Sequence, residues 1–197
     1  MIRILVSLFV FASAAAVIPR FFVIGFTHIF PQGCDHILFI LGLFFLSRNF
    51  GVLLFQMTLF TLAHSLTLGL SIYGILSVPT PLVEIAIALS IAFIAGENLF
   101  GEHLSRWRPT VVFISGLIHG LGFAHSFRIN FVKTDDIIPA LFSFNLGIEC
   151  GQLVVVVIAF VGISGVLNRT WYPTKIARPA SFAIAASGLY WAVERIF

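Results

Sequence analysis

The sequence predicts an all-α integral membrane protein built as a six-helix transmembrane bundle. Three observations carry that expectation. Of the 197 residues, 59% are hydrophobic and only 10% are charged, whereas a soluble domain is about 25% charged. The mean hydropathy is +1.08, more apolar surface than a water-soluble domain of this size can hide. The apolar residues also fall into runs of about 20, the length a helix needs to cross the hydrocarbon core. The net charge of +3 is spread along the loops, a pattern that argues against nucleic-acid binding. Cys34 and Cys150 both lie in apolar runs, where no structural disulfide is expected.

Proline, glycine and arginine punctuate the runs and define each element in turn. The first runs from about Phe21 to Leu46 and is interrupted by Pro31, Gln32 and Gly33. The second covers Val52 to Leu76 and is closed by Ser77-Val78-Pro79-Thr80-Pro81. The third is Leu82 to Phe100, the fourth Pro109 to Phe127, the fifth Ile137 to Leu167 and the sixth Ile176 to Ile196. Residues 20–197 thus read as a single polytopic membrane domain, leaving no length for a soluble one. Residues 1–18 have two readings. Arg3, the apolar run Ile4 to Phe11 and Ala12-Ser13-Ala14-Ala15-Ala16 match a cleavable signal peptide, the preferred reading. The same stretch would also make a short seventh helix turning back at Pro19-Arg20.

Loop charges set the orientation. Arg48, Arg106, Arg108, Arg169, Lys175 and Arg178 lie on one side, against Arg20, Arg128, Lys133 and Arg195 on the other. The first set is placed in the cytoplasm, so the first core helix enters from outside.

Ionisable groups inside a bilayer cost at least about 2.5–3.5 kcal/mol on insertion scales and usually face a bundle interior or a cavity. Here His28 precedes the Pro-Gly break and Asp35-His36 follows it; the spacing keeps them near one face if the break turns the helix little. His64 and Ser65 fall at the centre of the second helix and His119 near the centre of the fourth. Asn145 and Glu149 share a face of the fifth, with Glu149 near mid-depth and Gln152 a turn further on. Four helices therefore bring a nitrogen or oxygen donor to one depth. A single intramembrane histidine is usually a helix–helix hydrogen-bonding residue. Three at matching depth, with Asp35 and Glu149 available, point instead to metal or proton chemistry. Imidazole and carboxylate suit divalent zinc, nickel, cobalt or iron.

Other features have plainer readings. Glu97 and Asn98 are either a cytoplasmic exit site or a helix-end polar pair. His103 and His125 read as interfacial, and Gly116, Gly120 and Gly122 as close helix-packing positions. Gly162-Ile163-Ser164-Gly165 matches the GxSG of rhomboid proteases, but no histidine follows residue 125 to activate the serine, and the match is set aside.

Several stretches together resemble the HupE/UreJ family of membrane proteins. They are Gly25-Phe26 with His28, Gly33 with Asp35-His36-Ile37-Leu38-Phe39, and Phe60-Thr61-Leu62-Ala63-His64-Ser65-Leu66-Thr67. Glu97-Asn98-Leu99, His119-Gly120-Leu121-Gly122-Phe123-Ala124 and Phe144-Asn145-Leu146-Gly147, then Glu149 and Gly151-Gln152, complete the set in the family's order. The resemblance implies a nickel or cobalt permease serving hydrogenase or urease maturation, with His28, Asp35 and His36 as the first choice of metal residues. Typical permeases place five residues between the histidine and the Asp-His pair; this chain has six, and so resembles a divergent branch.

The expected function is transport of a divalent transition-metal ion, nickel or cobalt before zinc, across a bacterial inner membrane. The metal residues would be His28, Asp35, His36, His64, His119 and Glu149, with Ser65, Glu97, Asn98, Asn145 and Gln152 as supporting polar groups. The partners are the metal ion and the lipid bilayer, with homo-oligomerisation left open. The rival reading is a membrane-embedded zinc hydrolase, in which three histidines hold the metal and Ser65 orients the attacking water.

Overall fold

The computed structural model describes residues 17–47, 49–100, 105–131 and 137–197, and among them every regular element is helical. The two readings of residues 1–18 fall almost wholly outside this set. So do His103 and the loop after the fourth expected helix from 132 onward, as does the side chain of His125.

Helix α1 (Val17–Ile29) ends at the Phe30–Gly33 break, and α2 (Cys34–Leu46) leaves it at 66°. Next come α3 (Phe50–Ile72), α4 (Thr80–Phe100), α5 (Arg108–Phe131) and α6 (Ile137–Ile163). A π-helical turn, Pro173–Ala177, leads directly into α7 (Arg178–Glu194). The starts follow local chemistry. Asn49 caps α3 by accepting from the backbone N–H groups of Gly51 and Val52. Pro109 and Pro179 occupy first-turn positions, where a missing N–H costs nothing.

Among the described residues, α3, α4 and α6 are each long and apolar enough to cross a membrane. The bent α1–α2 pair makes a fourth span if it is taken as one. The first apolar run of the sequence is therefore two short helices rather than one interrupted one.

Small residues bring the helices together, as expected where lipid supplies no hydrophobic drive for helix association. Gly116 of α5 lies against the backbone of Phe60, and Gly120 against Thr67 and the His64 carbonyl, so α5 rides directly on α3. Gly147 and Gly151 of α6 meet the backbone of α1 at Phe22 and Phe26 in the same way. Phe39, Leu43, Phe60, Ile91, Phe144 and Ile148, each no more than 2% exposed, build the core around α2.

Candidate metal centre

His28 sits in the last turn of α1, and Asp35 and His36 in the first turn of α2. A carboxylate in a first turn is favoured by the helix dipole, and Asp35 Oδ1 accepts from the His36 backbone N–H at 2.9 Å. The same oxygen accepts from His36 Nδ1 at 3.0 Å. His64 lies in mid-α3 and is fully buried. The close approach of Gly120 to the His64 carbonyl fixes α5 at that level and sets the adjacent His119, 1% exposed, inside the bundle.

Four imidazoles come together there. The His36 ring centroid is 4.7 Å from that of His28, 4.9 Å from His119 and 5.8 Å from His64. His28 and His64 are 6.0 Å apart. His119 Nδ1 lies 2.8 Å from the Ser115 carbonyl. A carbonyl and an ionised carboxylate can only accept, so both Nδ1 atoms carry protons and Nε2 of His36 and of His119 is left with its lone pair. Metal-ligating histidines are oriented in this way by their outer partners. Among the described residues, the buried Nε2 atoms of His28, His36 and His119 and both ring nitrogens of His64 have no hydrogen-bond partner.

A cavity of about 130 Å³ opens onto this cluster. His28, Asp35, His36 and His119 line its inner end, and Glu84 at the start of α4 and Arg195 after α7 line its mouth. Beneath the histidines Phe39 and Phe60 stack 4.9 Å apart, with the His119 ring 5.4 and 5.0 Å from them. As the side chains stand, no three His, Cys, Asp or Glu groups among the described residues are aimed at one point to hold an ion. Imidazoles on one ion at about 2.0–2.1 Å put their centroids roughly 5–6 Å apart. The ring spacings of 4.7 to 6.0 Å lie near that figure.

The other expected residues lie elsewhere. Glu149 accepts from Thr58 Oγ1 at 2.6 Å, and Thr58 is six residues, about 9 Å, before His64 on α3. The carboxylate lies off the buried face of α6 formed by Phe144, Gly147, Ile148 and Gly151. Gln152 is buried and accepts from Thr61 Oγ1 at 3.2 Å, while the Asn145 Oδ1 is buried without a partner. Ser65 donates to the Thr61 carbonyl of its own helix at 2.6 Å and does not line the cavity. Cys34 is exposed and both cysteines are free thiols.

Glu97 and Asn98 belong to a second buried polar group. Arg108, 1% exposed, donates to Glu97 Oε2 at 2.8 Å, Asn98 Oδ1 at 3.3 Å and the Gly42 carbonyl at 3.2 Å. Asn98 Nδ2 donates to that carbonyl and to Ser181 Oγ. This joins α2, α4, α5 and α7 as a helix-end polar lock. In the sequence Arg108 read only as a loop charge; its position directly before Pro109, at a helix start opposite Glu97-Asn98, was the available signal.

The family model described as HupE / UreJ protein matches residues 6–195, nearly the whole chain. The chain belongs to the HupE/UreJ family. No curated protein and no solved structure matches it. Membership and apolar helices together make it a membrane protein, of a family connected with nickel and cobalt transport.

Proposed function

We propose that this HupE/UreJ protein is a secondary transporter or facilitator of a divalent transition-metal ion, nickel or cobalt, in a bacterial inner membrane. In this reading α5 and α7 also span, giving six spans with α1–α2 counted as one. The observation that carries it is the cluster of four buried imidazoles. Three of them, His28, His36 and His119, line the inner end of one cavity with Nε2 atoms that have no partner among the described residues. Left unpaired, buried polar atoms each cost about 1–3 kcal/mol, and a cation engages one lone pair from each imidazole. Imidazole with one carboxylate suits nickel, cobalt and zinc, and no thiolate is present to favour a softer ion.

His28, His36, His64 and His119 take the ion, and Asp35 orients His36 and offsets charge. The ion arrives by the mouth at Glu84 and Arg195. Departure requires the Phe39–Phe60 pair and then the Arg108 lock to part. By the loop charges that closed end is cytoplasmic. Because neutral imidazole is the binding form, affinity falls on acidification. The hydrolase reading has no specific support, since the Ser65 hydroxyl is bound to its own helix.

Uptake of radioactive nickel or cobalt into proteoliposomes tests the proposal. His36→Ala and His119→Ala should each lower metal affinity and uptake by on the order of 100-fold, more than an outer-partner change does. Uptake at wild-type level in the double variant would overturn it.

A further inference from the structure

Arg195 stands on the wall of a cavity otherwise arranged for a cation, with three imidazoles and the Asp35 carboxylate at its inner end. A guanidinium is charged at every relevant pH, and a fixed positive charge there repels a bare dication. Among the described residues that charge has no ion-pair partner, and the Glu84 carboxylate lines the same mouth without bonding to it. The ion pairs among the described residues are Asp35–His36 and Glu97–Arg108. Arg195 Nη1 donates to the backbone carbonyl of Glu84, at 2.6 Å, not to its carboxylate. The guanidinium carbon lies 5.8 Å from the Trp191 ring centroid. These two contacts hold the head across the mouth, from the end of α7 to the start of α4, with one hydrogen bond made among the described residues of the five a guanidinium can donate.

Size points the same way. A space of about 130 Å³ corresponds to roughly four waters at about 30 Å³ each. That is more than a stripped ion needs, and enough for an ion with a two-point ligand the size of an amino acid backbone. We propose that the cavity takes its metal ion as a complex with a small carboxylate ligand, the ion going to the imidazole nitrogens and the carboxylate to Arg195. One carboxylate oxygen stays on the metal and the other accepts a charge-assisted hydrogen bond from the guanidinium. Imidazole nitrogens replace water on the metal, and the carboxylate turns the repulsion at the mouth into attraction. This rests on the metal-transport reading and adds the form in which the ion is accepted.

The test compares two nickel(II) complexes of equal size and denticity, one with glycinate and one with ethylenediamine, at equal free nickel, in proteoliposomes. Wild-type protein should take up the glycinate complex roughly tenfold faster or more, the scale of one hydrogen bond to a charged group. In Arg195→Gln that ratio should collapse to about one, and Arg195→Lys should keep part of it. Equal uptake of the two complexes by wild type would overturn the proposal. So would a uniform loss for both complexes in Arg195→Gln, the mark of a structural strap or a lipid-phosphate contact. Failure of wild type to bind or move nickel in either form would instead overturn the metal reading itself, a separable result.

Discussion

Two polar regions are buried along α2 about two turns apart, and they are finished to different degrees. Around the Gly42 carbonyl, Arg108, Glu97, Asn98 and Ser181 satisfy one another, leaving only Arg108 Nε without a partner. Around His36, five imidazole nitrogens have no partner among the described residues, while the Nδ1 atoms of His36 and His119 are engaged. The first arrangement is what holding helices together requires. The second is poor for stability and good for a ligand. Buried polarity alone therefore does not single out a candidate site; several unfinished groups clustered beside one cavity do.

Removing Arg108 is the strongest way to probe that difference. Arg108→Ala leaves the Glu97 carboxylate, 19% exposed, without its cation, and breaking such a pair costs about 3 kcal/mol. Unfolding in detergent micelles should shift by that amount, while metal affinity of the folded fraction stays near wild type. A large affinity loss with unchanged stability would exchange the roles of the two regions. Asp35→Asn should act the opposite way, weakening metal binding about 10- to 100-fold with little change in unfolding, as titration calorimetry would show. Ser65→Ala should do least: its hydroxyl serves its own helix, so stability should move by less than about 0.5 kcal/mol and uptake should persist. A hydrolytic turnover that vanished in Ser65→Ala would revive the enzyme reading.

The gathering of the four histidines was legible in the sequence; direction around each helix was not. Counting residues along the apolar runs puts His28, His36, His64 and His119 at similar levels, and their rings are together in the structure. The same count puts Glu149 with them, yet its carboxylate goes to Thr58, because a strongly apolar helix gives no polar face from which to read rotation. Arg108 and Arg195 escaped for a related reason. A cation at a helix end reads as a loop charge whether it turns outward to water or inward to Glu97 or a cavity. The Pro31–Gly33 interruption was visible, but its 66° turn was not.

That turn decides the bite of the site. On a straight helix His28 and His36, eight residues apart, would be about 12 Å apart along the axis, beyond the span of one ion. Folded back at the joint, their rings are 4.7 Å apart. Gly33 permits this, since a methyl group there would run into the His28 carbonyl. The two rings thus work as the jaws of a pincer whose pivot is the backbone. Under the transport reading proposed above, straightening the pivot would open the jaws and an ion held by both would keep it bent. The grip on the cargo and the shape of the α1–α2 pair would then be one mechanical coordinate.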